Sequence, residues 1–414
     1  MNLVAASARP FHVMAKPTGA RCNCACDYCF FLKKERLYPG SEFRMPDEIM
    51  ESFVRQMIEA HAGLPEVEIA WQGGEPTLMG IDFFRRAVEA ETRYARAGQR
   101  VANSLQTNGL LIDGEWCHFL RENGFLIGLS LDGPRELHDA YRRDRAGASV
   151  FDRVVRAARL MREHGVAFNI LATVNAANSP HPLEVYRFFR DELGARYLQL
   201  IPIVERENET GDQEGTRLTE RSVEPAAYGR FLIAIFDEWV RRDVGSMFVT
   251  FFDNVLAASV YGESTVCALR RECGEALALE HNGDLYACDH FVEPRYLLGN
   301  IMSEPGGLAG LVASENQRAF GRAKQATLPR VCRECRFLFI CNGECPKNRV
   351  LGAPDGEPGL NRLCEGLKAF FTHTEGTMRE MASLLARGLP ASGVMGVGKA
   401  IPRGGRGRPR GRAR

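Results

Sequence analysis

The sequence predicts an α/β fold of about six β/α units followed by a cysteine-rich module. Three observations carry this. Short β-rich runs alternate with single helical patterns through the first half of the chain. The ends of those runs carry glycine, proline and polar residues rather than apolar ones. Twelve of the 13 cysteines fall into two groups, four near the start and eight in the last third.

The runs FHVMAKP (11–17), VEIAW (67–71), VANSLQT (101–107), FLIGLSL (125–131), VAFNILATV (166–174) and RYLQLIPI (196–203) have the length and the β-branched or aromatic content of buried strands. The first helical pattern is explicit. Pro46 suits an opening turn, Asp47 and Glu48 suit the positive end of the helix dipole, and Ile49, Phe53, Met57 and Ile58 share one face. Repeated parallel units with right-handed crossovers make either a barrel or an open doubly wound sheet. No G-x-G-x-x-G follows the first strand, so a dinucleotide-binding reading lacks its fingerprint.

Composition bounds the function. With 53 Lys and Arg against 52 Asp and Glu, the chain has no global field to recruit nucleic acid or an anionic membrane. The start has no signal-peptide pattern, and no apolar run reaches the roughly 18 to 20 residues that cross a bilayer. These features predict a cytoplasmic protein with reduced thiols, whose clustered cysteines bind metal rather than form disulfides. Cys117 stands alone in DGEWCHFLREN, a helical pattern, and reads as a core residue.

Parallel α/β folds place their chemistry at the C-terminal ends of the strands. There the sequence puts RCNCACDYCF (21–30), QGGEPTL (72–78), QTNG (106–109) and SLDGP (130–134). Each alone is ordinary turn chemistry. On one rim they form a site. Cys22, Cys26 and Cys29 are spaced C-x3-C-x2-C, a loop spacing that can bring three thiolates to an iron–sulfur cube and leave its fourth iron open, as a catalytic zinc keeps one open position, or can form a zinc knuckle. A zinc knuckle would want a histidine near, and the loop offers Asp27 and Tyr28.

With that triad, an aromatic residue before its last cysteine and G-G-E-P after the second strand, the chain resembles the radical S-adenosylmethionine enzymes. Its downstream pattern is C-x5-C at 267 and 273, Cys288 in GDLYACDHF, C-x2-C-x5-C-x3-C at 332, 335, 341 and 345, and a last Cys364. This is similar to the SPASM extension of enzymes that modify peptides. The segments FHVMAKPTGARC, WQGGEPTLMG, SLQTNG, GLSLDGP and RFLFICNGECPKNR make roughly residues 11–375 similar to the anaerobic sulfatase-maturating enzymes.

The resemblance implies a partial (β/α)6 barrel over 11–245 and an auxiliary-cluster module over 246–375. An N-terminal extension (1–10) would precede them, and a helix end with an Arg/Gly-rich tail (376–414) would follow. It implies three [4Fe–4S] clusters: one on Cys22, Cys26 and Cys29, one on Cys267, Cys273, Cys288 and Cys345, and one on Cys332, Cys335, Cys341 and Cys364. S-adenosylmethionine would bind the open iron, with Tyr28, Gly74, Ser130, Arg142 and Ile203 as contacts. Gly73 and Gly74 would let the backbone approach the methionyl part, and Glu75 would accept from its ammonium group. The radical would take a hydrogen from the Cβ of a Cys or Ser in a C/S-x-P-x-R segment of a sulfatase, Asp289 would act as base, and the product would be C-α-formylglycine. A flavodoxin or ferredoxin would supply the electron. A peptide maturase forming cross-links or thioethers, and a non-enzymatic iron–sulfur or zinc protein, are the alternatives. Cys24 reads as a small packed residue, and the tail as a solvated cationic segment with no specific nucleic-acid role.

Overall fold

The computed structural model describes residues 11–397. The extension 1–10 and the Arg/Gly-rich tail of the sequence reading lie outside the described residues. Six strands, β1 (His12–Lys16), β2 (Glu66–Trp71), β3 (Arg100–Thr107), β4 (Leu126–Ser130), β5 (Ala167–Val174) and β6 (Tyr197–Pro202), run parallel in chain order. The short β7 (Phe248–Val249) extends the far edge. Each predicted run forms its strand within a residue or two of the expected ends, because each is both β-prone and long enough to be buried.

The sheet is a partial (β/α)6 barrel and does not close on itself. The free edge of β1 pairs with β8 (Ala276–Glu280), parallel and in register from His12 opposite Ala276 to Lys16 opposite Glu280. β9 (Asp284–Tyr286) and β10 (Leu297–Asn300) then add antiparallel strands. The cysteine-rich segment therefore continues the barrel's own sheet. Among the described residues no helix is long and apolar enough to cross a membrane.

The first helix spans Asp47–Ala60 after Pro46 and buries Phe53, Met57 and Ile58, as its spacing predicts. Trp71 at the end of β2 meets Phe53, Phe83 and Phe84 edge-on at centroid distances of 5.9, 5.7 and 5.6 Å. Cys117 is fully buried in the helix Gly114–Glu122.

A second contact locks the cysteine-rich segment to the barrel. The helices Pro225–Arg242 and Cys364–Ala386 cross at Gly229 and Gly366. A Cβ on Gly366 would lie 2.0 Å from the Pro225 carbonyl oxygen and 2.8 Å from the Gly229 nitrogen. Such contact between backbones admits no side chain. Gly366→Ala is expected to force the helices apart at a cost of about 1 to 3 kcal/mol, seen as a lower melting temperature. An unchanged melting temperature would show that the crossing tolerates separation.

Candidate active site

A cavity of about 250 Å³ opens at the C-terminal ends of β1–β6. Cys22, Cys26, Cys29, Tyr28, Gly74, Ser130, Arg142, Ile203 and Asp289 all line it. The chain thus gathers around one cavity what the sequence spreads over 268 positions, from 22 to 289.

The cluster loop is held mainly by backbone. Gly74 N donates to Gly19 O at 2.7 Å and Glu75 N to Arg21 O at 2.9 Å, so the G-G-E-P turn runs against the loop. A Cβ on Gly74 would lie 2.0 Å from Arg21 O. The close approach that requires glycine at 74 is therefore to the cluster loop itself. From the other side, Arg145 Nε donates to Cys22 O at 2.6 Å, Asp27 N to Tyr141 O at 3.0 Å, and Cys24 bridges to Asp144. Cys22 Sγ accepts from Cys24 N at 3.3 Å and Asn108 Nδ2 at 3.6 Å, the kind of outer support that metal-bound thiolates receive.

Glu75 is fully buried but does not line the cavity. Its carboxylate accepts from Thr77 N and Oγ1, Thr107 Oγ1 and Asn108 N, at 2.6 to 3.0 Å. What it holds directly is the rim: it ties the end of β2 to the end of β3. Cys24 packs in the main core, as expected, while its backbone nitrogen donates to Cys22 Sγ.

Asp132, in the SLDGP turn, organises the opposite wall and was not singled out in the sequence. Its carboxylate takes Arg142 Nε at 2.9 Å and Nη2 at 3.3 Å, the Tyr28 hydroxyl, and Thr173 N at 2.8 Å. Arg142 also lies 5.4 Å over the Tyr28 ring. Burial raises the Asp132 carboxyl, but Arg142 and its other donors outweigh burial and hold it below the usual carboxylate range. Next to it, burial drives His138 down to about 3, so that imidazole is neutral.

Asp289 faces the cavity paired with Lys16, a lysine only 2% exposed at the end of β1. Lys16 Nζ also donates to Gln72 Oε1 at 2.6 Å, and Gln72 donates to Gln106. This chain of polar groups follows the rim from β1 to β3. Burial raises the Asp289 carboxyl, while Lys16, His290 and Lys347 pull it down and leave it below its ordinary value. A lysine in an inner strand is rarely buried unless paired, and that was the signal in FHVMAKP.

The thiols fit iron–sulfur cubes. All 13 cysteines are free. Cys332, Cys335, Cys341 and Cys364 surround one small cavity of about 30 Å³ walled by Val331, Phe337, Leu338, Leu367 and Phe371. Cys267, Cys273 and Cys288 gather on the helix Glu315–Ala326, through Lys324 Nζ to Cys267 O at 2.9 Å, Cys273 N to Gly321 O at 3.2 Å and Gln317 Nε2 to Ala287 O at 3.1 Å; burial, and after it charges that include Cys267 and Cys273, push the Cys345 thiol up. Among the described residues no three His, Cys, Asp or Glu side chains converge as a single-ion site. Cys22, Cys26 and Cys29, and separately Cys332, Cys335, Cys341 and Cys364, stand around space, as cube ligands do.

Asp132→Asn leaves the buried Arg142 without its counter-charge, and the expected loss is about 3 to 5 kcal/mol in unfolding free energy. In the wild type this contribution is present above the unfolded carboxyl value of about 3.9 and fades as pH falls through the lower folded value. Denaturation of the variant near pH 7 should show the loss. Wild-type stability there would mean that Arg142 is balanced by another group.

Comparison with known proteins agrees with this geometry. Residues 17–187 match the radical SAM superfamily, and residues 267–336 the iron–sulfur cluster-binding SPASM domain. The chain is 45% identical over 377 residues to the serine-type anaerobic sulfatase-maturating enzyme of Bacteroides thetaiotaomicron, covering 88% of this chain and 90% of that one. It is 32% identical over 371 residues to the cysteine-type enzyme of Clostridium perfringens, covering 88% and 96%. The structure of native anSMEcpe with bound AdoMet and Cp18Cys peptide superimposes with a TM-score of 0.81 at 31% identity, covering 91% of this chain and all of that one. A peptide-bound SuiB of Streptococcus suis, at 18% identity and a TM-score of 0.61, shares the fold alone. The chain belongs to the anaerobic sulfatase-maturating enzymes, radical SAM proteins with a SPASM domain.

Proposed function

We propose that this enzyme oxidises a Ser or Cys side chain of a sulfatase polypeptide to C-α-formylglycine. The observation that carries the reading is the single cavity in which the cysteine triad, Arg142 and Asp289 face one another. The serine-type relatives share more of this sequence, 45% and 37%, than the 32% of the cysteine-type relative, which favours a Ser substrate. A C/S-x-P-x-R segment would enter the cavity as an extended loop.

When bound, the clusters and S-adenosylmethionine supply hydrogen abstraction at the target Cβ and take up the electron that remains. Cys22, Cys26 and Cys29 would hold the first cluster, and the eight downstream cysteines the two auxiliary ones in the sets already described. Ser130 and Arg142, with Tyr28 and Ile203, are the cavity groups suited to S-adenosylmethionine. Asp132 fixes the Arg142 guanidinium so that it does not reorganise on binding. The main-chain carbonyls of the G-G-E-P turn are the acceptors available to an ammonium group, since Gly73 and Gly74 line the cavity and the buried Glu75 does not.

Asp289 takes the proton from the target hydroxyl or thiol; a Ser target then gives the aldehyde directly, while a Cys target gives a thioaldehyde that water hydrolyses to the same aldehyde with release of hydrogen sulfide. Lys16 keeps that carboxylate ionised and, through Gln72 and Gln106, fixed in position. Loss of the Cβ hydrogen acidifies the remaining hydroxyl, so a carboxylate of low basicity suffices as acceptor. A low-potential flavodoxin or ferredoxin would supply the electron for each turnover, and the enzyme would work in the cytoplasm.

In Asp289→Asn the shape is nearly kept while the acceptor is lost, and removal of a general base typically costs about 10² to 10⁴ in rate. With iron content unchanged, the variant should still form 5′-deoxyadenosine on a sulfatase peptide, while formylglycine, read by mass spectrometry, falls by at least about a hundredfold. Formylglycine within about threefold of wild type would show that another group, such as His290 or Glu293, takes the proton.

A further inference from the structure

The active-site cavity leaves one set of buried charges unexplained, and it lies among the eight downstream cysteines. Lys324, on the helix Glu315–Ala326, is 1% exposed. Its ammonium donates to Cys267 O at 2.9 Å and Ala268 O at 2.8 Å. The same helix holds Cys273 closely: Cys273 N donates to Gly321 O at 3.2 Å, and a Cβ on Gly321 would lie 2.7 Å from Cys273 O. Gln317 donates to Gly274 O at 2.8 Å and Ala287 O at 3.1 Å, each one residue from a cysteine. One helix thus forms the back wall of Cys267, Cys273 and Cys288.

Arg349 lies between the two cysteine sets. Its guanidinium donates to Gly343 O, Lys324 O, Thr327 Oγ1, Asn342 O and Glu344 O at 2.6 to 3.4 Å, all of them neutral oxygens. Gly343, against which it packs, also walls the cavity of Cys332, Cys335, Cys341 and Cys364. The charges that oppose its burial are the thiols of Cys273, Cys345 and Cys332, which belong to both sets, and Glu344. The Lys324 charge is felt by Cys267 and Cys273, which belong to one set.

A buried cation with no carboxylate partner is costly unless an anion stands near it. Among the described residues neither Lys324 nor Arg349 forms an ion pair with a carboxylate, and the cysteines of the two sets, which become anionic as cluster ligands, lie beside both. A cube held by four thiolates is itself an anion and becomes more negative on reduction, so a fixed cation beside it favours the reduced state. Glu344 works the other way. Its carboxylate is held by Asn348 at 2.8 Å and Asn361 at 2.7 Å and acts on Cys341 and Cys345, one from each set.

We propose that the buried Lys324 and the half-buried Arg349 are the counter-ions of the auxiliary clusters, Lys324 raising the potential of one cluster and Arg349, from between them, that of both. Glu344 is the opposing charge that limits the effect. The inference rests on the cluster assignment above. It assigns these three residues to the electron-accepting half of the reaction, with no contact to substrate.

The test is a redox titration followed by electron paramagnetic resonance on full-length protein carrying Cys22, Cys26 and Cys29→Ala, so that only auxiliary clusters contribute. In that background Lys324→Gln should move one of two midpoints to more negative potential, Arg349→Gln should move both, and Glu344→Gln should move both to more positive potential. Arg349→Lys, which keeps the charge but not the fork, should stay close to the parent. Unchanged midpoints with full auxiliary iron would overturn the inference, as would equal shifts in Arg349→Gln and Arg349→Lys. Loss of iron from all three Gln variants would mark the residues as scaffold and overturn it too. If the parent itself bound no auxiliary iron, the cluster assignment would fall, and this inference with it.

Discussion

The parallel pairing of β1 with β8 is the constraint on which the site depends. A parallel pair needs a long connection, and here 259 residues separate Lys16 from Ala276 along the chain. The register places Glu280 opposite Lys16 and carries the chain, within nine residues, to Asp289. Lys16 and Asp289 then meet at the cavity as a partly buried ion pair. Had β1 closed on β6 as in a full barrel, the cysteine-rich segment would have had no sheet edge to join. The opening in the barrel lets the cysteine-rich segment join the sheet and bring Asp289 to the cavity.

Around that joint the loops are held by backbone approach more than by side-chain recognition. The cluster loop, the G-G-E-P turn and the 141–145 segment exchange main-chain hydrogen bonds, and Gly74 sits where no Cβ fits. The same economy recurs at Gly229 and Gly366, where two helices touch at their backbones. Buried charge supplies what backbone cannot. Asp132 fixes Arg142, Glu75 ties two strand ends, and Lys16 orients Asp289, each ion satisfied by several donors or acceptors as a low-dielectric site requires.

Much of this was legible in the residues. Strand positions followed from β-branched runs, the first helix from one apolar face, and the site from four polar turns at strand ends. Asp289 was reached through the family resemblance, and Arg142 likewise. What the residues did not show was partnership. Asp132 looked like ordinary turn chemistry because Arg142, Tyr28 and Thr173, which make it a hub, come together only in the fold. Glu75 was read as an ammonium acceptor through the G-G-E-P resemblance, and its tie to the end of β3 was hidden, since Thr107 Oγ1 and Asn108 N come to it only in the fold. The continuation of the barrel sheet into the cysteine-rich segment was also hidden, since periodicity marks a strand and says nothing of its partner.

The central claim is that one cavity both generates the radical and presents the target side chain to it. A sulfatase peptide whose target Ser carries deuterium at both β positions tests this most directly, with S-adenosylmethionine and a reductant under anaerobic conditions. The account predicts one deuterium in each 5′-deoxyadenosine formed with product, and one retained in the formylglycine aldehyde. Formylglycine accompanied by unlabelled 5′-deoxyadenosine would contradict it.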